Sequence, residues 1–128
     1  MIGRAAGRAI ELPGVSVKLS TEFVSLLFTP LDDQPLAQSK HVLITALARD
    51  KQTGTVYSAD GKTLENVGTA PLLLEPVQAS IRLKGTKPSQ VNALDYQGVA
   101  KGKALTVGAD GTFAIDGTSA AYYYEVKR

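Results

Sequence analysis

Residues 15–51 read VSVKLSTEFVSLLFTPLDDQPLAQSKHVLITALARDK, and the fold follows from how their apolar positions recur. Val15, Val17 and Leu19 alternate with Ser16, Lys18 and Ser20, the period of two that gives a β-strand one buried and one wet face. Phe23 to Thr29 follows with apolar residues on both faces, which predicts a strand covered on both sides and ended by Pro30. Asp32 and Asp33 between Pro30 and Pro35 are turn residues, and His41 to Arg49 resumes a long apolar, β-branched run. The two runs should pair as a hairpin.

Outward from this stretch the same signals recur. Leu72 to Leu74 is a short apolar run between Pro71 and Pro76, and Ala79, Ile81 and Leu83 alternate with Ser80, Arg82 and Lys84. Val91 to Leu94 and Tyr122 to Val126 read as further strands. Asp60-Gly61 and Asp110-Gly111 supply hairpin turns, the second flanked by Leu105 and Val107 before it and Phe113 and Ile115 after it. No segment carries a helical period. The sum is about nine or ten short strands punctuated by 12 Gly and 6 Pro, which predicts an all-β, two-sheet antiparallel sandwich, immunoglobulin-like or jelly-roll-like. A single domain should span residues 1–128, with 1–10 a linker or terminal strand, as in a piece of a longer protein.

Composition narrows the function. With 44% hydrophobic and 20% charged residues the chain should fold unaided, and a net charge of +2 with scattered Lys and Arg offers no footprint for nucleic acid or an anionic membrane. No apolar run approaches the roughly 18 residues of a membrane span. The absence of cysteine excludes disulfides and thiol chemistry.

Catalytic constellations are equally sparse. His41 is the only histidine, and at the start of an apolar strand it reads as a strand-edge residue rather than a proton shuttle. No nucleotide-binding loop, nucleophile elbow or zinc-protease helix occurs, so no cofactor is expected beyond a structural calcium. Asp32 and Asp33 with nearby carbonyls could contribute to such a calcium site. Asp32, Asp33, Asp60 and Asp110 otherwise read as turn formers, and Glu75 as a carboxylate either at a sheet end or paired with a cation.

Sugars stack their C–H faces on flat aromatics and present hydroxyls to planar polar groups. There is no Trp, and Phe23, Phe28 and Phe113 sit within strands, where a core role is expected. Of the tyrosines, at least one of Tyr122, Tyr123 and Tyr124 must face the core, because alternation divides them between two faces. Tyr57 and Tyr96 remain as candidate stacking residues, with Arg49, Gln52 and Asn92 as polar partners.

The stretch already quoted, together with GTAPLLLEPVQASIRLKG at 68–85, VNALDYQG at 91–98, DGTFAIDG at 110–117 and AYYYEVKR at 121–128, resembles the C-terminal accessory β-sandwich attached to bacterial TIM-barrel glycoside hydrolases. The resemblance implies a secreted, non-catalytic module that follows or packs on a catalytic barrel, some relatives being carbohydrate-binding modules. It implies two partners, a polysaccharide or oligosaccharide and the catalytic domain of the parent enzyme. A purely structural sandwich without glycan affinity is the alternative, and it should carry an apolar patch where the barrel docks.

Overall fold

The computed structural model describes all 128 residues and contains strands but no helix. Thirteen strands are present: β1 (Ile2–Arg4), β2 (Ala9–Leu12), β3 (Val15–Leu19), β4 (Phe23–Pro30), β5 (His41–Leu47), β6 (Asp50–Thr53), β7 (Val56–Tyr57), β8 (Leu64–Asn66), β9 (Thr69–Leu74), β10 (Ala79–Leu83), β11 (Gln90–Leu94), β12 (Thr112–Ile115) and β13 (Tyr123–Lys127). Five form one sheet in the order β1-β4-β5-β13-β11, and four form a second in the order β12-β10-β3-β2. Every pairing is antiparallel, so the expected sandwich class holds, with more strands than the nine or ten expected. The surplus consists of short strands, such as IGR at 2–4 and DKQT at 50–53, too short or too polar to show an apolar alternation.

Alternation within the long strands builds the core. The inward residues of β3 (Val15, Val17, Leu19) and β10 (Ala79, Ile81, Leu83) line up so that Val17, Ile81 and Phe113 form one row across the smaller sheet. In the larger sheet the matching rows are Phe28, Ile44, Tyr124 and Ala93, then Pro30, Val42, Val126 and Val91. Nineteen buried residues form one continuous cluster between the sheets. Each fully buried aliphatic or aromatic side chain contributes about 1.5–3 kcal/mol, so this interior is the main source of stability.

One of the three tyrosines faces the core, but Tyr122, which strict alternation would place on the same side as Tyr124, precedes β13 and is not buried with it. Tyr124 is buried, and Tyr122 and Tyr123 are half-buried outside the core cluster. The reading of β4 needs correction. Val24 and Leu26 face the core, but Phe23 and Leu27 on the opposite face are exposed, so that side is not buried. Of the three phenylalanines, Phe113 is buried, Phe28 packs partly against the core, and Phe23 is 38% exposed.

The first ten residues carry strands rather than a free linker. The Met1 amino group donates to the Leu26 carbonyl, β1 pairs with β4 and β2 with β3, and Ala5 between them is buried. At the other terminus, the Arg128 amide donates to Lys40 O at 3.0 Å and its Nη1 to Ala37 O at 2.9 Å, locking β13 to the β4–β5 connection.

Between β5 and β10 the chain leaves the sandwich. Strands β6 and β9 pair as a two-stranded ribbon and β7 and β8 as a second, and every residue of these four strands is exposed. This excursion is an arm. Its register shifts at Gln52/Thr53, where the Thr55 hydroxyl lies 2.8 Å from the carbonyls of both Gln52 and Val67. Gly68 closes the arm at φ +79°, in a position where a Cβ would overlap the Thr53 carbonyl oxygen.

Candidate functional site

A concavity of about 850 Å³ lies where the arm leaves the five-stranded sheet. Its apolar lining comes from Phe23 at the start of β4, Ala48 after β5, Tyr57 of β7 and Leu73 and Leu74 of β9. Arg49, Asp50, Lys51 and Glu75 supply the polar part. Its size is within the range of small-molecule clefts.

Pairing of β6 with β9 sets Asp50 opposite Leu74 and brings Arg49 and Glu75 together across 26 residues of sequence. Arg49 Nε donates to Glu75 Oε2 at 3.0 Å, and Arg49 Nη2 lies 3.0 Å from Glu22 Oε2. The guanidinium is therefore clasped between two carboxylates. The Arg49 hydrogen bond and charge hold the Glu75 carboxyl below its ordinary 4.5. A general acid of glycoside hydrolysis needs the opposite shift, so Glu75 is suited to accepting hydrogen bonds.

Of the residues singled out from sequence, Tyr57 and Arg49 line this groove together. Gln52 lies on the arm with its side chain outside the groove lining, and its carbonyl accepts the Thr55 amide at 3.1 Å. Asn92 is on β11, away from the groove, where its Oδ1 accepts from Gln90 Nε2 at 3.2 Å. Tyr96 lies in the turn after β11, 73% exposed, its ring centroid 5.7 Å from that of Tyr122 at an interplanar angle of 42°. Burial, then the Tyr96 hydroxyl, then the Asp50 carboxylate push the Tyr122 hydroxyl up to about 12.

Sequence reading passed over Phe23, Leu73, Leu74, Asp50 and Lys51. Two signals could have found them. The charged triplet Arg49-Asp50-Lys51 closes an apolar strand abruptly, and three leucines followed by Glu75 cannot all face one interior from an extended strand.

The turn carboxylates act as expected. Asp60 Oδ1 accepts from the Ser58 hydroxyl at 2.6 Å and the Lys62 amide at 3.2 Å, and Asp110 Oδ1 accepts from the Thr112 amide at 3.0 Å. Asp32 Oδ2 accepts the Lys40 amide at 2.7 Å, and Asp33 adopts φ +55°. No cluster of three His, Cys, Asp or Glu side chains joins Asp32 and Asp33 into a metal-ligating set. His41 Nε2 sits 2.7 Å from Glu125 Oε1, and Lys127 Nζ 3.1 Å from Glu125 Oε2, forming a polar row on the outer face of the large sheet. No side-chain hydroxyl is hydrogen-bonded to the His41 ring.

Asp60, Asp110 and Asp116 lie below their ordinary 3.8, chiefly through Ser58, Thr112 and Thr118 hydroxyls respectively, as Glu75 lies below 4.5 through Arg49. A carboxyl with a folded value below its unfolded one adds stability above the unfolded value and loses it as pH falls through the folded one. The melting temperature should therefore be level above pH 4.5 and drop as pH descends through and below 3.8. A melting series that stays level throughout strong acid would show that these turn bonds add nothing.

Fold and groove together define an antiparallel β-sandwich with a projecting, groove-forming arm. No family model, curated protein or solved structure matches the chain.

Proposed function

We propose that the chain is a non-catalytic accessory module of a secreted bacterial glycoside hydrolase that binds polysaccharide in the groove between arm and sheet. The observation that carries this reading is the meeting of Tyr57 and Arg49 in one groove beside Phe23 and Glu75. The rings offer apolar faces to sugar C–H groups, and the clasped guanidinium and carboxylates offer fixed hydroxyl partners. Arg49 loses little freedom on binding, since Glu22 and Glu75 already orient it.

Affinity electrophoresis against soluble β-glucan, xylan, agar and alginate tests the proposal. Tyr57→Ala should weaken retardation by about tenfold or more, because a stacked aromatic contributes both buried area and face geometry. Melting should be unchanged, Tyr57 being 54% exposed. Retardation on no glycan at all, or equal retardation of wild type and Tyr57→Ala, sinks it.

The outer faces of the two sheets favour a second reading, a structural module that packs on the catalytic barrel. The small sheet shows polar Ser16, Lys18, Ser80 and Arg82, with Lys84 Nζ 3.1 Å from Glu11 Oε2 beside them. The large sheet exposes Ile2, Leu27 and Leu47 beside its His41–Glu125–Lys127 row, and the arm exposes Val56, Leu64, Val67 and Leu72. Exposed apolar surface of this kind fits a docking face. Under this reading Leu27→Lys leaves the isolated chain folded and lowers the stability of a protein in which the catalytic domain is attached. An attached protein indifferent to Leu27→Lys argues against it.

A further inference from the structure

The charges around the groove cancel. Arg49 and Lys51 face Asp50 and Glu75 in its lining, and Arg49 is already committed to Glu22 and Glu75. Recognition of a uronate or sulfate calls for an uncommitted guanidinium or a surplus of cations. Here Lys51 is the one lining cation without an acidic partner, and Asp50 adjoins it. An anionic sugar would meet as much repulsion as attraction, whereas a neutral one can give its hydroxyls to Asp50 and Glu75 and accept from Lys51.

The end of the large sheet that carries the groove also carries the start of β13 and the end of β11. The Ala46 amide donates to the Tyr122 carbonyl at 2.8 Å, four residues before Asp50, so no more than about 13 Å of chain separates that anchor from the groove. The electrostatic effect of Asp50 on Tyr122 agrees with that proximity. Tyr96, packed against Tyr122 and largely exposed, offers a second aromatic surface outside the groove lining at that end of the sheet.

We propose that the site takes a neutral, extended oligosaccharide that runs from Tyr57 past Asp50 onto the Tyr96–Tyr122 pair, an inference that rests on the glycan-binding reading above. Titration calorimetry of the full chain tests it with cellohexaose, xylohexaose and mannohexaose, set against guluronate and galacturonate hexamers. At least one neutral hexaose should bind, and tenfold or more tighter than either anionic hexamer. Tyr96→Ala should weaken hexaose binding about tenfold and leave the corresponding trisaccharide unaffected, with a thermal melt confirming the fold.

Anionic hexamers binding as tightly as neutral ones would overturn the neutrality and leave the groove reading standing. Unchanged hexaose affinity in Tyr96→Ala, with Tyr57→Ala weakened, would overturn the extension alone. Silence on every sugar would remove the groove reading and this inference together.

Discussion

Phe113→Ala should destabilise the domain by about 3–5 kcal/mol, the range for emptying a buried aromatic site. Phe113 is 2% exposed, sits on β12 opposite Ile81, and belongs to the one cluster that joins the two sheets. Small domains have about 5–15 kcal/mol in total, so this single truncation removes a large share. Equilibrium urea unfolding should show a lower midpoint with an unchanged slope, the mark of lost stability without a changed denatured state. Phe23→Ala is the matched control. Its ring lies in the groove wall at 38% exposure, so its loss should cost well under half as much. Equal costs for the two would mean that Phe113 does not fill the inter-sheet space.

Gly85→Ala should be the next most damaging change, through the backbone rather than the core. Gly85 has φ +95°, a region in which an L side chain is strained by about 1–3 kcal/mol. A Cβ there would also overlap the Ala37 carbonyl oxygen and lie 3.3 Å from Arg128 Nη1. That carbonyl accepts the bond from Arg128 Nη1, whose Nε and Nη2 are buried without partners, and burial already lowers the pKa of this guanidinium. Moving Ala37 would leave the buried charge with less compensation, adding about 1–3 kcal/mol. The expected result is a loss of at least 2 kcal/mol in urea unfolding, roughly the sum of the two lower bounds. Hydrogen exchange should accelerate first in residues 31–40 and at the end of β13. A melt indistinguishable from wild type would show that the 31–40 connection gives way freely and does not clamp the terminus.

Strands β3, β10 and β12 were legible because each alternates strictly and buries one face. β4 was legible as a strand, but its surroundings were not. FVSLLFT has apolar residues on both faces, and that pattern fits a doubly covered strand as well as one whose second face meets another molecule. The arm was half legible. Its Asp60-Gly61 turn stood out, but Asp50–Thr53 and Leu64–Asn66 are held by cross-strand bonds and side-chain clasps rather than by burial. Hydrophobic patterning is silent where a strand has no interior to face. For the groove, Tyr57 and Arg49 could be chosen by chemical type, whereas Phe23 was assigned to the core because most strand phenylalanines are buried.

The amino-acid order by itself determined that the chain is all-β, where the long strands lie, and which side of β3 and β10 points inward. For β3 and β10 these are properties of neighbouring residues, set by the two-residue repeat and by turn chemistry, whereas β5, apolar on both faces, had its inward side chosen by packing. The tertiary structure alone decided which apolar faces stay bare, and that Glu22, Arg49 and Glu75 meet beside Tyr57. The physical reason is that burial and ion pairing depend on what is packed alongside. Arg49 and Glu75 become neighbours only when β6 and β9 pair, a contact that no local pattern encodes.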